Sequence, residues 1–182
     1  MQRFDGDLAR EVREAGCECG GVLHSARYPR KPRGGPARLG PGYAFRLSFC
    51  CAEDGCRRRK TPRSVRFLGR RVYLGAVVVL ASALREGLVA RRVAHLRELL
   101  GVDRRTLRRW REWWQQSFVA TSFWKIERGG FLPPLDESRL PASLLERFHG
   151  ADALTRLMRV LAFLGPLSTT SEGTRRGFSK VR

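Results

Sequence analysis

Two short cysteine clusters constrain the fold of this chain more than any other feature of its sequence. Cys17 and Cys19 are separated by one residue and followed by two glycines, and three further cysteines lie within residues 50–56. Two close-spaced groups of thiolates, each on a tight turn, are what a tetrahedral zinc site requires. The glycines after Cys19, and Gly55 before Cys56, suit such turns. The spacing therefore predicts a metal site of four cysteines, with zinc as the cofactor.

Five cysteines compete for four ligand positions, so one of them is left over. Cys51 is preferred over Cys50 because its four-residue spacing to Cys56 gives the tighter loop, and Cys50 and His24 remain the alternatives. An odd number of cysteines in a reducing compartment disfavours a disulfide framework. Burial of the thiols without a metal is a further interpretation, although two glycine-bearing turns favour zinc. The predicted ligands are Cys17, Cys19, Cys51 and Cys56.

The residues between the two clusters are predicted to form two short strands. These are the segments 22–28 and 43–49, and the second alternates apolar and polar side chains from Tyr43 to Phe49. Two strands that each lead to a cysteine turn are the arrangement of a zinc ribbon. We therefore predict a zinc-ribbon-like domain with a basic hairpin over residues 1–66.

The strong positive charge of the chain indicates a polyanionic partner. There are 36 Lys and Arg against 17 Asp and Glu, for a formal net charge of +19, and neutralising phosphates with such residues releases counterions. The acid-free segment 57–71 carries eight basic residues, and the acid-free segment 27–46 adds six in a mobile second arm. The residues predicted to hold DNA phosphates are Arg57, Arg58, Arg59 and Lys60.

The apolar residues do not support a membrane partner. The longest apolar run covers the thirteen residues 72–84, whereas a bilayer span needs about 20. The N-terminal residues carry acids and no apolar block, unlike a secretory signal or a transit peptide. The sequence therefore predicts a cytoplasmic, nucleoid-associated protein.

A helix-turn-helix pattern surrounds Gly101. Val102 is the apolar residue after the turn, Leu107 and Trp110 face inward from the second helix, and Asp103 is placed to cap that helix. The opposite face is basic in its N-terminal half, where a recognition helix meets base edges in the major groove of double-stranded DNA. The residues predicted to contact DNA are Arg104, Arg105, Arg108, Arg109 and Arg111.

This pattern leaves two points open. Arg97 occupies a first-helix position that is usually small, so the two helices are expected to cross less closely than usual. Trp110, Trp113 and Trp114 can stack on single-stranded bases, but at helical spacing Trp110 and Trp114 are expected in the core. An amphipathic helix pair with a basic surface is the alternative to a DNA-binding unit.

Helices are also predicted on both sides of this pair. A helix over 71–86 lies beneath it, 117–127 continues or follows the recognition helix, and 140–148 and 152–164 pair as amphipathic helices. The last helix is expected to close the core, and a homodimer is the alternative use of its apolar stripe. The residues predicted to be buried are Val72, Ala76, Val79, Leu80 and Ala83 in the first of these helices and Leu154, Leu157, Met158, Leu161 and Leu164 in the last.

These elements give an α+β fold that is mostly α. A small N-terminal β zinc ribbon is followed by a helical helix-turn-helix domain and by C-terminal helices. The predicted boundaries are 1–66 for the ribbon, 67–128 for the helix-turn-helix domain, 129–170 for the C-terminal helical segment and 171–182 for a disordered tail.

The order of cysteine clusters, basic connector and the helix-turn-helix sequence LGVDRRTLRRW resembles the zinc-ribbon plus helix-turn-helix modules of bacterial insertion-sequence proteins. The resemblance covers about residues 17–116 and extends to small accessory proteins and to the N-terminal DNA-binding regions of transposases. The first cluster of that family is usually C-x2-C, whereas here it is C-x-C. The resemblance implies recognition of element ends or of a promoter, beside a separate transposase or recombinase.

Catalysis by this chain is not expected. Transposases cut DNA with clustered carboxylates that hold divalent metals, and neither such a cluster nor enough chain for a nuclease fold follows residue 128. No histidine and acid accompany the cysteines in the pattern of a catalytic nucleophile. Two other functions stay open, namely a stand-alone transcriptional regulator and an RNA- or ribosome-associated zinc protein, although the latter has no obvious use for a helix-turn-helix.

Overall fold

The computed structural model describes residues 1–30, 32, 34–36, 38–68, 73–83 and 90–169. Within these ranges the chain is an α+β protein with small antiparallel sheets, in agreement with the predicted fold class. None of the helices in the described ranges has both the length and the apolar character needed to cross a bilayer. The predicted tail at 171–182 and the predicted core residue Val72 lie outside these ranges.

The N-terminal part begins with a helix and continues as short strands. The helix α1 covers Gln2–Glu14, which the sequence pattern did not predict. The strands are β1 Leu23–Ser25, β2 Tyr28–Pro29, β3 Phe45–Arg46, β4 Phe49–Cys51 and β5 Arg59–Lys60. They form a three-stranded sheet in the order β1-β4-β5 and a separate β2-β3 pair. The predicted strand 43–49 is therefore divided between two sheets.

A further strand pair and a series of helices follow. They are β6 Phe67–Leu68, β7 Tyr73–Leu74, α2 Gly75–Ala83, α3 Ala90–Leu100, α4 Arg104–Glu112, α5 Ser122–Glu127, α6 Ala142–Arg147 and α7 Ala153–Phe163. The end of α4 continues directly into a π-helical turn, Trp113–Phe118. Because β7 pairs with β6, with Phe67 opposite Leu74, the helix predicted from residue 71 begins only at Gly75.

One large hydrophobic cluster fills the space between these helices. Trp110, Trp114 and Phe118 are completely buried at its centre, and Trp113 is only 3% exposed. Trp113 is therefore a core residue and offers no free ring for base stacking. The same cluster runs from the strand β6 region to the end of α7, so it crosses the predicted boundary at residue 128 and the C-terminal helices close it.

Two residues predicted to be buried are exposed. Leu80 is 48% exposed, because α2 turns Val78 and Val79 to the core instead, and a helix that is apolar on all sides does not specify its buried stripe. Leu154 is 63% exposed because it lies in the first turn of α7, before the stretch that enters the core. The residues of α7 that enter the core are Leu157, Val160 and Leu161.

A second and much smaller cluster lies beneath the N-terminal sheet. It consists of Ala9 from α1, Leu23 and Phe49 from the sheet, and the cysteines Cys17 and Cys51. Helix α1 therefore packs against the turns and strands that carry the thiols. So few apolar residues supply little burial, and small units of this kind usually depend on a metal or on disulfides.

Candidate metal centre and nucleic-acid interface

The first pair of thiols lies on a tight turn shortly after α1. The backbone N–H of Gly20 donates to the carbonyl oxygen of Cys17 at 2.9 Å, and the N–H of Cys17 donates to the carbonyl oxygen of Gly21 at 3.1 Å. Gly20 has a φ of +83°, in the left-handed region that favours glycine. These contacts close the turn and bring the thiols of Cys17 and Cys19 to the same place.

The second pair of thiols lies at the ends of a turn between β4 and β5. The backbone N–H groups of Cys56 and Arg57 both donate to the carbonyl oxygen of Glu53 at 3.0 Å. Arg57 has a φ of +44°, whereas Gly55 does not take a positive φ. The residue with the special backbone conformation is therefore the arginine after Cys56 and not the glycine before it, which corrects the role predicted for Gly55.

The four predicted ligands come together in space. The Sγ atoms of Cys17 and Cys56 are 3.7 Å apart and those of Cys19 and Cys51 are 3.5 Å apart, and all four lie within 4.8 Å of one another. Zinc–sulfur bonds of about 2.3 Å in a tetrahedron place the sulfurs about 3.8 Å apart. The four thiols can therefore hold a metal ion at their centre after sub-ångström adjustments.

The two alternative ligands lie outside this cluster. Cys50 precedes Cys51 in β4, and neighbouring residues of a strand point to opposite faces. The Sγ of Cys50 lies 3.5 Å from the carbonyl oxygen of Arg57, and His24 is the exposed cross-strand neighbour of Cys50 in β1. Strand alternation thus assigns Cys51 to the inner face and leaves Cys50 as the additional thiol.

The clustered thiols change one another's protonation. A hydrogen bond from the backbone N–H of Cys19 lowers the pKa of Cys17 to about 7, with smaller contributions from neighbouring thiols and against the effect of burial. A backbone hydrogen bond at Glu53 lowers the pKa of Cys51, but burial and the neighbouring thiols together raise it to about 12. Metal coordination requires thiolates, so a bound cation displaces the protons that these cysteines hold.

Three of the basic residues beside this cluster are held by acids on its two turns. Arg57 pairs with Asp54, and Arg58 donates to Glu18 at 2.5 Å. Lys60 is half-buried, with its Nζ 3.7 Å from the same Glu18 carboxylate. The two arginine pairs are exposed, and exposed ion pairs contribute only about 0–1 kcal/mol each. These side chains can therefore exchange a carboxylate for a phosphate.

The fourth basic residue, Arg59, lies on an aromatic ring that the sequence pattern did not single out. Its guanidinium is 4.7 Å from the ring centre of Tyr28, and the guanidinium of Arg30 is 4.9 Å from the same centre. The signal in the sequence was a tyrosine between arginines in the acid-free segment. Stacking of this kind fixes the direction of both arginines.

The helix α4 begins as the sequence predicts. Gly101 takes a φ of +63°, and the Asp103 carboxylate accepts a hydrogen bond from the backbone N–H of Thr106 at 2.6 Å. Leu107 and Trp110 are 2% and 0% exposed. The buried stripe of α4 therefore fixes which of its residues face solvent.

The five arginines predicted on the outer face of α4 divide into two groups. Arg109 is half-buried and donates to Tyr73 and Thr106, and Arg111 is half-buried beside a cavity that Arg139 also lines. Because each is one residue from Trp110, and helical neighbours are about 100° apart, they lie at the edges of the buried stripe. The arginines of α4 that are exposed are Arg104, Arg105 and Arg108.

Comparison with known proteins leaves the assignment to the residues themselves. A scan against protein-family models, a search of curated proteins and a search of solved structures each gave no match to this chain. Any function proposed for it therefore has to follow from the thiol cluster and from the basic surfaces described above.

Proposed function

We propose that this chain is a zinc protein that binds specific sequences in double-stranded DNA without acting on them chemically. The exposed arginine face of α4 carries this proposal. Its basic residues project from a helix whose opposite side is anchored by Leu107, Trp110 and the π-helical turn behind them. A rigid, basic helix start of this kind suits the major groove.

Zinc is the metal that best fits the thiol cluster. Four sulfur ligands in a tetrahedral arrangement favour zinc or an iron–sulfur centre, and a single ion fits sulfurs that lie within 4.8 Å of one another. The small cluster around Ala9, Leu23 and Phe49 has few other sources of stability. We therefore assign zinc a structural role, in which four protein ligands close the coordination sphere.

The basic residues around the metal turns are assigned to phosphates. Arg57, Arg58, Arg59 and Lys60 are attached to a turn that the metal would hold rigid, so little conformational freedom is lost when they bind. By contrast, the arginine fork suits both a phosphate and the O6 and N7 atoms of guanine. We assign base contacts to Arg104, Arg105 and Arg108 because they begin the helix that fits the groove, and phosphate contacts to the half-buried Arg109 and Arg111.

The biological role that we propose is that of an accessory protein of a mobile element. The order of cysteine clusters, basic connector and helix pair supports it through the resemblance to insertion-sequence proteins. Such a protein works on the nucleoid in the cytoplasm, beside a separate transposase or recombinase. A recombinase gene next to its own gene supports this role, whereas an isolated gene with a cellular operator supports a transcriptional regulator.

Zinc binding is tested by two matched cysteine variants. Native mass spectrometry of the wild-type chain should show one zinc ion. Cys51→Ser should lose it, because it removes an inner ligand, and Cys50→Ser should retain it, because this thiol faces the other side of β4. A wild-type chain without metal and with five freely reactive thiols would disprove the zinc assignment, and equal loss in both variants would disprove the ligand set.

DNA binding is tested by selecting bound sequences from a random duplex pool. An enriched motif establishes sequence recognition. Arg104→Ala and Arg108→Ala should each weaken the preference at one position by about 1–3 kcal/mol, whereas Arg58→Ala should weaken binding to all sequences and reduce the salt slope by about 1. Equal affinity for duplex DNA, single strands and structured RNA would disprove the proposal.

A further inference from the structure

The loop between β2 and β3 is a second basic feature next to α4. This basic arm, residues 30–44, contains four basic residues, three prolines and no acid. Its two ends are fixed, because Tyr28 pairs with Arg46 across the strands and the N–H of Arg30 donates to the carbonyl oxygen of Ala44 at 2.6 Å. The prolines restrict the loop further. A long loop with such restraints can hold a defined position.

The middle of the basic arm contacts the helix pair directly. A Cβ atom on Gly34 would lie 3.1 Å from Cη2 of Trp110 and 3.3 Å from Cγ2 of Val102, and a Cβ atom on Gly35 would overlap Leu74. Gly34 also has a φ of +66°, which other residues rarely adopt. The two glycines are therefore the contact through which the arm covers Trp110.

This contact places the basic arm at the start of α4. Val102 is two residues before Arg104, and two residues span at most about 7 Å. A helix in the major groove fills a space about 12 Å wide, and one strand of phosphates borders that groove at the start of the helix. The arm therefore lies beside the strand beyond which the minor groove opens, and its exposed Arg38 is available for contact.

We propose that the basic arm binds the minor groove of double-stranded DNA next to the major-groove site of α4. This inference rests on the proposed function of α4. A·T-rich DNA is the favoured partner, since its narrow minor groove has an enhanced negative potential that attracts arginine. The arm adds a preference about 5 base pairs, or half a helical turn, from the centre of the α4 site.

The test compares duplex sequences selected by three forms of the full-length zinc protein. The wild-type chain should enrich a core motif and an A·T-rich flank on one side. The double variant Gly34→Ala/Gly35→Ala should keep the core motif, lose the flank preference and bind about tenfold more weakly. Gly40→Ala is the matched control in the same loop, since a Cβ there meets nothing within 4 Å, and it should retain both preferences.

Arg38→Gln provides a second variant that leaves the glycine contacts intact, and it should lose the flank preference in part. Zinc content and circular dichroism verify that each variant is folded. A wild-type motif without a flanking preference, or an unchanged flank in the double variant, would overturn the role of the arm alone. Absence of any duplex preference, or tighter binding to structured RNA, would overturn both this inference and the proposed function.

Discussion

The space around the thiols leaves no room for an additional atom at Gly21. A Cβ atom there would lie 2.7 Å from Sγ of Cys51 and 3.3 Å from Sγ of Cys19. Both sulfurs would have to move away from positions that already fit a tetrahedral ion. We expect Gly21→Ala to lower the zinc affinity by at least about tenfold, or about 1.4 kcal/mol, as measured by competition with a chelator.

Gly55 supplies the matched control for this substitution. It lies in the other cysteine turn, has no positive φ, and a Cβ there meets no atom within 4 Å. Gly55→Ala should therefore leave the zinc affinity unchanged. Equal affinity of Gly21→Ala and wild type would show that the thiols have more freedom than the cluster geometry implies.

Tyr28 is expected to ionise at a lower pH than an ordinary tyrosine. Burial would raise the pKa of Tyr28, but hydrogen bonds from Arg59, Ser48 and Thr61 and the charge of Arg59 lower it to about 8, against 10.0 for the free side chain. The depressed value stabilises the fold only where the phenol is ionised. Its contribution is present above pH 10, decreases as the pH falls towards 8, and is absent at pH 7.

Absorbance of the phenolate measures this titration, because the chain has only 3 tyrosines. We expect one phase near pH 8. It should disappear in Tyr28→Phe and move towards a higher pH in Arg59→Gln, which removes the main charge beside the ring. A single phase at the ordinary tyrosine pKa in the wild-type protein would contradict the contact between Arg59 and Tyr28.

The spacing of residues identified the ligands better than it identified their surroundings. Two tight turns and strand alternation are local properties, so Cys17, Cys19, Cys51 and Cys56 could be selected from sequence. The positive φ of Arg57 could not, because no residue type signals it. The stacked position of Tyr28 depends on β5, which is far away in the chain, and so lay outside what local patterns show.

Among the helices, α4 depends on its first turn for both stability and position. The Asp103 carboxylate satisfies the N–H of Thr106, and this bond, followed by the Thr106 hydroxyl and nearby arginines, lowers the pKa of Asp103. Asp103→Ala should lower the free energy of unfolding by about 1 kcal/mol, as measured by urea denaturation. Hydrogen exchange should accelerate first in the initial turn of α4.

The pH dependence of this cap follows from the direction of the pKa shift. The stabilisation is complete above the ordinary carboxyl pKa and is lost as the pH falls through the lower value of the folded protein. Asp103→Asn is the control, since asparagine keeps the acceptor oxygen without the charge. It should retain most of the stability and lose the acid dependence. Destabilisation by Asn equal to that by Ala would show that charge, not the hydrogen bond, supports the helix.

The helix pair could be located from sequence because its signals are local. A glycine turn, an N-cap and an apolar stripe all lie within residues 96–110, and the structure has α3, Gly101 and α4 at these positions. Helix α1 was missed because the residue that begins its buried face is Asp5, which reads as a surface residue. Strand β7 was missed because its pairing with β6, and not its own pattern, ends the helix there.

For the chain as a whole, buried charged residues connect the N-terminal part to the helical core. Arg46 of β3 donates to the carbonyl oxygen of Ser168 at 2.7 Å, and the hydroxyl of Ser168 accepts from the N–H of Ser64 at 2.9 Å. Burial and the charge of Arg30 lower the pKa of Arg46 to about 10, so this side chain stays a cation at neutral pH. These bonds fix the C-terminal end of the chain against the segment that leaves the metal turns.

This connection could not be predicted from the sequence. Its partners are far apart along the chain, with Arg46 and Ser168 separated by 122 positions. Composition shifts indicated three separate parts, because local patterns change at their boundaries. A composition shift contains no information about which polar side chains will be buried together, and Arg46 reads as part of a solvated basic segment.

The strongest single link in this connection is Asp5. Its carboxylate accepts from Arg66 Nε at 2.6 Å, Ser64 Oγ at 2.6 Å and the N–H of Val65 at 2.7 Å, and both Asp5 and Arg66 are at most 5% exposed. Removal of one partner from a buried ion pair leaves the other charge without compensation, at a cost of about 3–5 kcal/mol. We expect Asp5→Ala to lower the free energy of unfolding by this amount, as measured by urea denaturation of the zinc-loaded protein.

Asp7 of the same helix provides the comparison that isolates burial. Its ion pair with Arg10 is exposed, with side-chain exposures of 49% for Asp7 and 67% for Arg10, and such pairs contribute about 0–1 kcal/mol. Asp7→Ala makes the same change in helix propensity as Asp5→Ala, so the difference between the two variants reports the buried link. If both variants unfold at the same urea concentration, α1 is not bound to Arg66 in solution, and the N-terminal part must be attached to the core through Arg46 and the basic arm alone.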